Sequence, residues 1–228
     1  MAVDPLIGEL AADLDGYATT RKFSRKVTFE EAAEIAAFLH DQIDRGVEAR
    51  DEAIAKGNAK LACTRGCNAC CQEPIMVFRP ESARVARWLA LPENADVKAA
   101  FLAAYPAWKE QIGAVSDKLS RLFVADPKNY IAHHVDGWRK GILCAFNRDG
   151  DCTVYPVRPS VCRTAHALDT NAHCGGTSET PATRATFVPL DQFVTRARRL
   201  LVATHNATRG DRGQPVALPH AVFAMLER

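Results

Sequence analysis

Apolar residues recur along much of this chain at intervals of three and four, the spacing of one helix face. Leu6, Leu10 and Leu14 predict a short helix within residues 1–20. Phe29, Ala33, Ala36, Ile43, Val47 and Ile54 predict a long one from Thr28 to Gly57. Thr28 and Glu31 form a capping-box pattern at its start, and Gly57 with Asn58 marks its stop. Pro80 opens another helix, with Val85, Trp88 and Leu89 inward. Residues 93–140 read as three helices. The first is marked by Val97, Phe101 and Tyr105, and the second by Trp108, Ile112, Val115, Leu119 and Leu122. The third, marked by Ile131, His134, Val135 and Trp138, follows an Asp126–Pro127 start. Pro189 to His205 and a last segment from Pro219 through Leu226 complete the set. Such stripes are core packing.

Between these helices the period changes. Ile75 to Phe78, bracketed by Pro74 and Pro80, predicts a short extended piece. Ile142–Phe146 and Cys152–Tyr155 predict two strands around the turn residues 147–151. With Phe146 opposite Cys152, one face carries Cys144, Phe146, Cys152 and Val154. The expected fold is therefore mainly α: a single helical domain over residues 1–228, with a small β-hairpin and a loop-rich cysteine region at 63–174.

Composition narrows the function little. The chain has 228 residues, 47% hydrophobic and 25% charged, which is ordinary for a globular protein. A net charge of +2 supplies no global field for nucleic acid or a membrane surface. No apolar run approaches the roughly 20 residues of a membrane helix. Asp4, Glu9, Asp13 and Asp15 interrupt the N-terminal segment, so it does not read as a secretory signal. The expected location is cytoplasmic, where thiols stay reduced and eight cysteines point to metal rather than disulfides. Seven arginines after residue 183 read as a solvated helix surface.

The chemistry is concentrated in the cysteines. Cys63, Cys67, Cys70 and Cys71 fall within nine residues, and Cys144, Cys152, Cys162 and Cys174 follow in one later segment. Closely spaced thiols present several sulfurs to a soft metal at little entropic cost. Adjacent Cys70 and Cys71 diverge in any regular structure, so they serve two metals or require an unusual turn. They also make a strained disulfide. Eight sulfurs equal two four-thiolate sites or one polynuclear centre. The Cys63–Cys67–Cys70 spacing matches radical enzymes that use S-adenosylmethionine, but the repeated strand–helix units of that barrel are missing. Arg65, Arg158 and Arg163 are placed to offset thiolate charge. His166 and His173 flank the late cysteines as further candidate ligands, while His133 and His134 lie on a helical stripe.

The order Cys63-x3-Cys67-x2-Cys70-Cys71, Cys144-x7-Cys152, Arg158-Pro159-x2-Cys162 and Cys174 resembles the CxxCxxCC cysteine-cluster family, described as zinc- or iron-chelating proteins. The resemblance covers Cys63 to Cys174, apart from the helical stretch at about 80–140. One departure is Ala145, where the family usually has proline. The flagellin lysine-N-methylase resembles this chain in the cysteine region alone. The resemblance implies an iron–sulfur cluster, [4Fe–4S] in type, ahead of zinc, with all eight cysteines as ligands.

Three functions follow as expectations. The first is an iron–sulfur or zinc protein with redox or electron-transfer chemistry. The second is an enzyme, either a protein-modifying methylase or a small-molecule oxidoreductase. It lacks support from any glycine-rich strand–turn–helix. The third is a structural zinc module whose helical surface binds another protein. The partner, protein or small molecule, is unspecified by the sequence.

Overall fold

The computed structural model describes residues 5–20, 26–64, 66–209 and 214–227. Arg65 falls outside them, as does the side chain of Leu6. The protein is mainly α, 67% helical, with eight helices and two small two-stranded sheets among the described residues.

α1 (Pro5–Thr20) and α2 (Phe29–Lys56) carry the first predicted stripes. The capping box forms: Glu31 N–H donates to Thr28 Oγ1 at 3.2 Å, and Thr28 N–H donates to Glu31 Oε2 at 2.9 Å. α3 (Arg79–Leu89) starts with proline in its first turn, where no amide partner is lost. α7 (Val188–Arg209) and α8 (Leu218–Leu226) close the chain. No helix among the described residues is long and apolar enough to cross a membrane.

Residues 93–140 hold two long helices rather than three. α4 runs unbroken from Ala95 to Ala125 through Pro106, and α5 covers Pro127–Arg139. Pro106 removes one amide donor and crowds the preceding turn. It is exposed, so water can satisfy the carbonyl it abandons. Phe101, Tyr105, Trp108, Ile112, Val115 and Leu119 form one continuous stripe across it, all 9% exposed or less. Burying each such side chain gains about 1.5–3 kcal/mol, and the sum overrides a single proline.

Two apolar clusters result. The first gathers α1, α2 and α7 with Phe78 and Ala83. The second gathers α4, α8 and the inner side of α3, with Phe146, Val154 and Val157. α3 lies between them, and Phe29 and Met225 touch both.

Extended structure is sparse. β1 (Met76–Val77) pairs antiparallel with β4 (Val216–Ala217), so the predicted extended piece finds a partner the sequence did not reveal. β2 (Asn147–Arg148) and β3 (Asp151–Cys152) form the expected hairpin in a tighter version. Its loop is Asp149–Gly150, both at positive φ (53° and 92°), the geometry of a two-residue hairpin turn. The register sets Asn147 opposite Cys152, not Phe146. A one-residue shift exchanges faces, so Cys144 and Cys152 do not share a strand face. Residues 142–146 are instead irregular. Phe146 leaves the hairpin to stack on Phe101 of α4, ring centroids 4.2 Å apart.

Candidate metal centre

The early thiols sit on a compact turn. Cys67 N–H donates to Thr64 O at 3.0 Å, and Gly66 takes φ 85°, which a β-carbon would disfavour. Ala69–Gln72 then form a single 3₁₀ turn carrying Cys70 and Cys71. The turn keeps the two adjacent thiols close enough for the Cys71 side chain to act on that of Cys70.

The later segment closes on this turn from two directions. Cys144 N–H donates to Cys71 O at 2.7 Å. Leu61 pairs with Leu168 in an isolated antiparallel bridge, and Ala62 N–H donates to Ala167 O at 2.9 Å. Cys63 Sγ accepts from Ala167 N–H at 3.2 Å, and Cys67 Sγ accepts from Asn171 Nδ2 at 3.4 Å. The tip of the β2–β3 hairpin meets the same loop: a β-carbon on Gly150 would lie 3.5 Å from Gly66 O.

All eight cysteines are free thiols. Their arrangement brings two distant segments together, but among the described residues no three cysteine, histidine or carboxylate side chains converge in metal-holding geometry. Burial pushes the Cys144 thiol up to about 12, with Cys152 and Cys70 adding to the rise. Cys162 is raised in the same way, by burial first and then by Cys70, Cys144 and Cys152. Burial likewise raises Cys63, Cys152 and Cys174. For Cys70 the hydrogen bond with Cys71 is the larger cause, ahead of burial. Without metal these six groups are neutral thiols at neutral pH.

Two buried donors near Cys152 lack partners, Asn147 Nδ2 and Arg158 Nε. Asn147 is the register partner of Cys152, and the Arg158 charge acts on its thiol. The guanidinium also lies over the Tyr155 ring, 3.9 Å from its centroid. Unpaired buried donors are costly, and a thiolate-bound centre would supply acceptors for both. The donor set therefore fits a thiophilic metal group.

Arg163 is occupied elsewhere. It is 3% exposed, donates from Nε to Arg158 O at 2.7 Å and from one terminal nitrogen to Pro156 O at 2.8 Å, and pairs with Asp44 of α2. It braces the loop leading into α6 (Ser160–Thr164), the short helix bearing Cys162. His166 contacts Arg50, His173 Nδ1 lies 3.3 Å from Ser178 Oγ, and His134 Nε2 lies 3.2 Å from Pro74 O. Those three histidines have partners other than sulfur. His133 Nε2 is buried without a partner.

Sequence reasoning missed three polar residues that hold the short helix bearing Cys162. Arg50 is 1% exposed; it donates to Thr164 O at 3.1 Å and to Asp51 at 2.8 Å, and its charge acts on Cys63. His40 and Glu81 are buried together, with His40 Nε2 3.4 Å from Glu81 Oε1. The same oxygen accepts from Ser160 N–H at 2.9 Å and Ser160 Oγ at 2.8 Å, which caps α6. A signal existed for two of them. His40 and Arg50 occupy the next stripe positions after Ala36 and Val47, where an apolar residue is expected.

The Cys174 loop leans on the end of α5. A β-carbon on Gly176 would lie 2.6 Å from the Trp138 carbonyl carbon and 2.7 Å from Arg139 N. Backbone cannot yield as a flexible side chain does. Gly176→Ala is expected to cost roughly 1–3 kcal/mol, read as a lowered denaturant midpoint.

A family model described as "putative zinc- or iron-chelating domain", CxxCxxCC, matches residues 62–180. The chain belongs to this family, and metal binding is its shared property. The matched span runs through α3, α4 and α5 as well as the cysteines. No curated protein and no solved structure matches the chain.

Proposed function

We propose that this protein holds an iron–sulfur centre through Cys63, Cys67, Cys70, Cys71, Cys144, Cys152, Cys162 and Cys174, and uses it for electron transfer or redox sensing. The observation that carries the reading is the junction of the two cysteine segments, fixed by the Cys144 N–H to Cys71 O bond at 2.7 Å. The unpaired Arg158 Nε and Asn147 Nδ2 support it, since both suit an electron-rich, sulfur-bound group. When bound, such a centre supplies one-electron chemistry. The chain's residues supply the thiolates, the neighbouring cation of Arg158 and the apolar wall of Phe146, Val154 and Val157 that limits water. Loading must release the protons of the thiols that bind the metal.

Protein purified without air is expected to be brown, with a broad absorption near the visible edge and equal iron and sulfide. A colourless protein carrying stoichiometric zinc would remove the redox role and leave a structural zinc module. Absence of both metals would remove the reading altogether.

A further inference from the structure

Tyr105 belongs to the second apolar core, is 2% exposed, and is surrounded by other rings. The Phe223 ring stacks on it with centroids 4.0 Å apart and 14° between the planes, and the Trp108 ring stacks at 6.0 Å. Phe101 lies at 5.9 Å and in turn stacks on Phe146. With His220 neutral and its ring proton on Nε2, the Tyr105 hydroxyl donates to His220 Nδ1 at 2.6 Å, a short bond. α8 supplies two of these contacts. Leu218 N–H donates to Ile75 O at 2.9 Å and fixes the start of the helix. His220 and Phe223, neighbours on one helix face, then meet Tyr105 of α4 together.

A buried hydroxyl needs a partner, and a backbone carbonyl or a serine would serve. Imidazole offers more, because it takes up a proton near neutral pH. Burial pushes the Tyr105 phenol pKa up, with Asp117 and Glu227 adding to the rise, so the ring keeps its proton. Loss of one electron reverses that preference. A phenol radical cation is a strong acid and persists only once its proton has gone. Little water reaches a side chain this buried, so the base must be built in, and His220 Nδ1 is the base at hand. Asp117 and Glu227, whose charges act on Tyr105, also offset the positive charge that protonation puts on the imidazole. The stacked faces of Trp108 and Phe223 give an electron a route out of the ring.

We propose that Tyr105 is a redox-active tyrosine: a small one-electron radical oxidant, of the peroxyl class, takes an electron from its ring, directly or through Trp108, while the hydroxyl proton passes to His220 Nδ1. The oxidant leaves as its anion. The protein then holds a neutral phenoxyl on Tyr105 and an imidazolium on His220. Neutrality suits the buried ring, and the charge rests on the half-buried histidine. The step involves no metal and does not depend on how the cysteines are used.

Azidyl radicals made by pulse radiolysis serve as the probe; each becomes azide on taking one electron. The parent chain carries Tyr17→Phe, Tyr130→Phe and Tyr155→Phe, which leaves Tyr105 as the last of four tyrosines, and is checked for helical circular dichroism. Oxidation is expected to appear first on tryptophan and then to pass to Tyr105, read as decay of the broad indolyl band into the narrow phenoxyl band. Adding His220→Gln, which accepts the hydrogen bond but not the proton, should slow this transfer by about a hundredfold, the low end of what a positioned base contributes. Heavy water should slow it in the parent. A parent chain that forms no phenoxyl would overturn the proposal. Transfer at an unchanged rate after His220→Gln would do the same, as would, should that variant fail to fold, an unchanged rate in heavy water.

Discussion

Replacing Glu81 with alanine is expected to destabilise the protein by about 3–5 kcal/mol, the largest effect of any single non-cysteine substitution proposed for this chain. The carboxylate is 5% exposed, and one oxygen receives Ser160 N–H, Ser160 Oγ and the His40 ring. Alanine leaves those groups buried with nothing to bond, at about 1–3 kcal/mol for each one unsatisfied. It also removes an acid from the first turn of α3, where the helix dipole favours negative charge. Glu81→Gln keeps an oxygen at the junction and loses the charge, so its cost should be roughly half. Urea unfolding of both variants measures this. The damage extends to function, because Ser160 starts the helix that carries Cys162 and the variant should load metal poorly. A loss below about 1 kcal/mol for Glu81→Ala would show that α6 is held by Arg163 and packing alone.

The pair also predicts acid sensitivity. Burial holds the His40 pKa below its ordinary 6.5, opposed by Glu81 and helped by Arg163 and Arg84. Burial pushes Glu81 up, but the hydrogen bond and charge of His40 and the hydrogen bonds from Ser160 together hold it below its ordinary 4.5. Both groups bind more protons unfolded than folded, so each makes stability rise with pH. The His40 contribution is lost as pH falls below about 6.5, and the Glu81 contribution as pH falls further, below 4.5 and through its folded value. Unfolding midpoints between pH 7.5 and 2 should decline in two stages in the wild type, with the lower stage, below pH 4.5, reduced in Glu81→Ala.

The parts legible in the sequence were those encoded by local repetition. The Thr28–Glu31 box and the Ala33-to-Ile54 stripe specify α2 because each residue acts through neighbours three or four away. The cysteine spacing named the chemistry and the family for the same reason. Three features were not legible. Pro106 signals a break, and only the shared core on both sides of it keeps α4 whole. The hairpin register turns on one residue, and Phe146 is claimed by Phe101 rather than by the strand. β4 is two residues long and acquires its identity from β1, more than a hundred positions earlier. The buried polar set, Arg50 with Thr164 and Glu81 with Ser160, is also long-range. An arginine or histidine within an apolar stripe announces an anomaly, but its partner lies in another part of the chain.

Stripping the metal should melt the cysteine region while leaving the helices in place. Structural zinc supplies roughly 10–16 kcal/mol of apparent folding energy to small zinc-finger peptides, and the thiolate-bound metal proposed here would act on segments just as poor in other support. Residues 60–72 and 165–184 are joined by isolated bridges at Leu61–Leu168 and Ala167–Arg184 rather than by a sheet. The two apolar clusters, by contrast, are assembled from helices whose buried stripes need no metal. Chelation under reducing conditions is therefore expected to leave far-UV circular dichroism nearly unchanged. Amide exchange at 62–72, 142–147 and 167–178 should accelerate by a hundredfold or more, about 3 kcal/mol of lost local protection. Acid should promote the same release, since protons compete for thiols whose pKa values burial already raises. Metal retention should then fall steadily from pH 8 to 6, ahead of global unfolding. Exchange that accelerates equally in α2, α4 and α7 would mean the metal supports the whole fold. Exchange unchanged at 167–178 would mean the late cysteines are held by the protein alone, and their convergence on the early quartet would have another cause than metal.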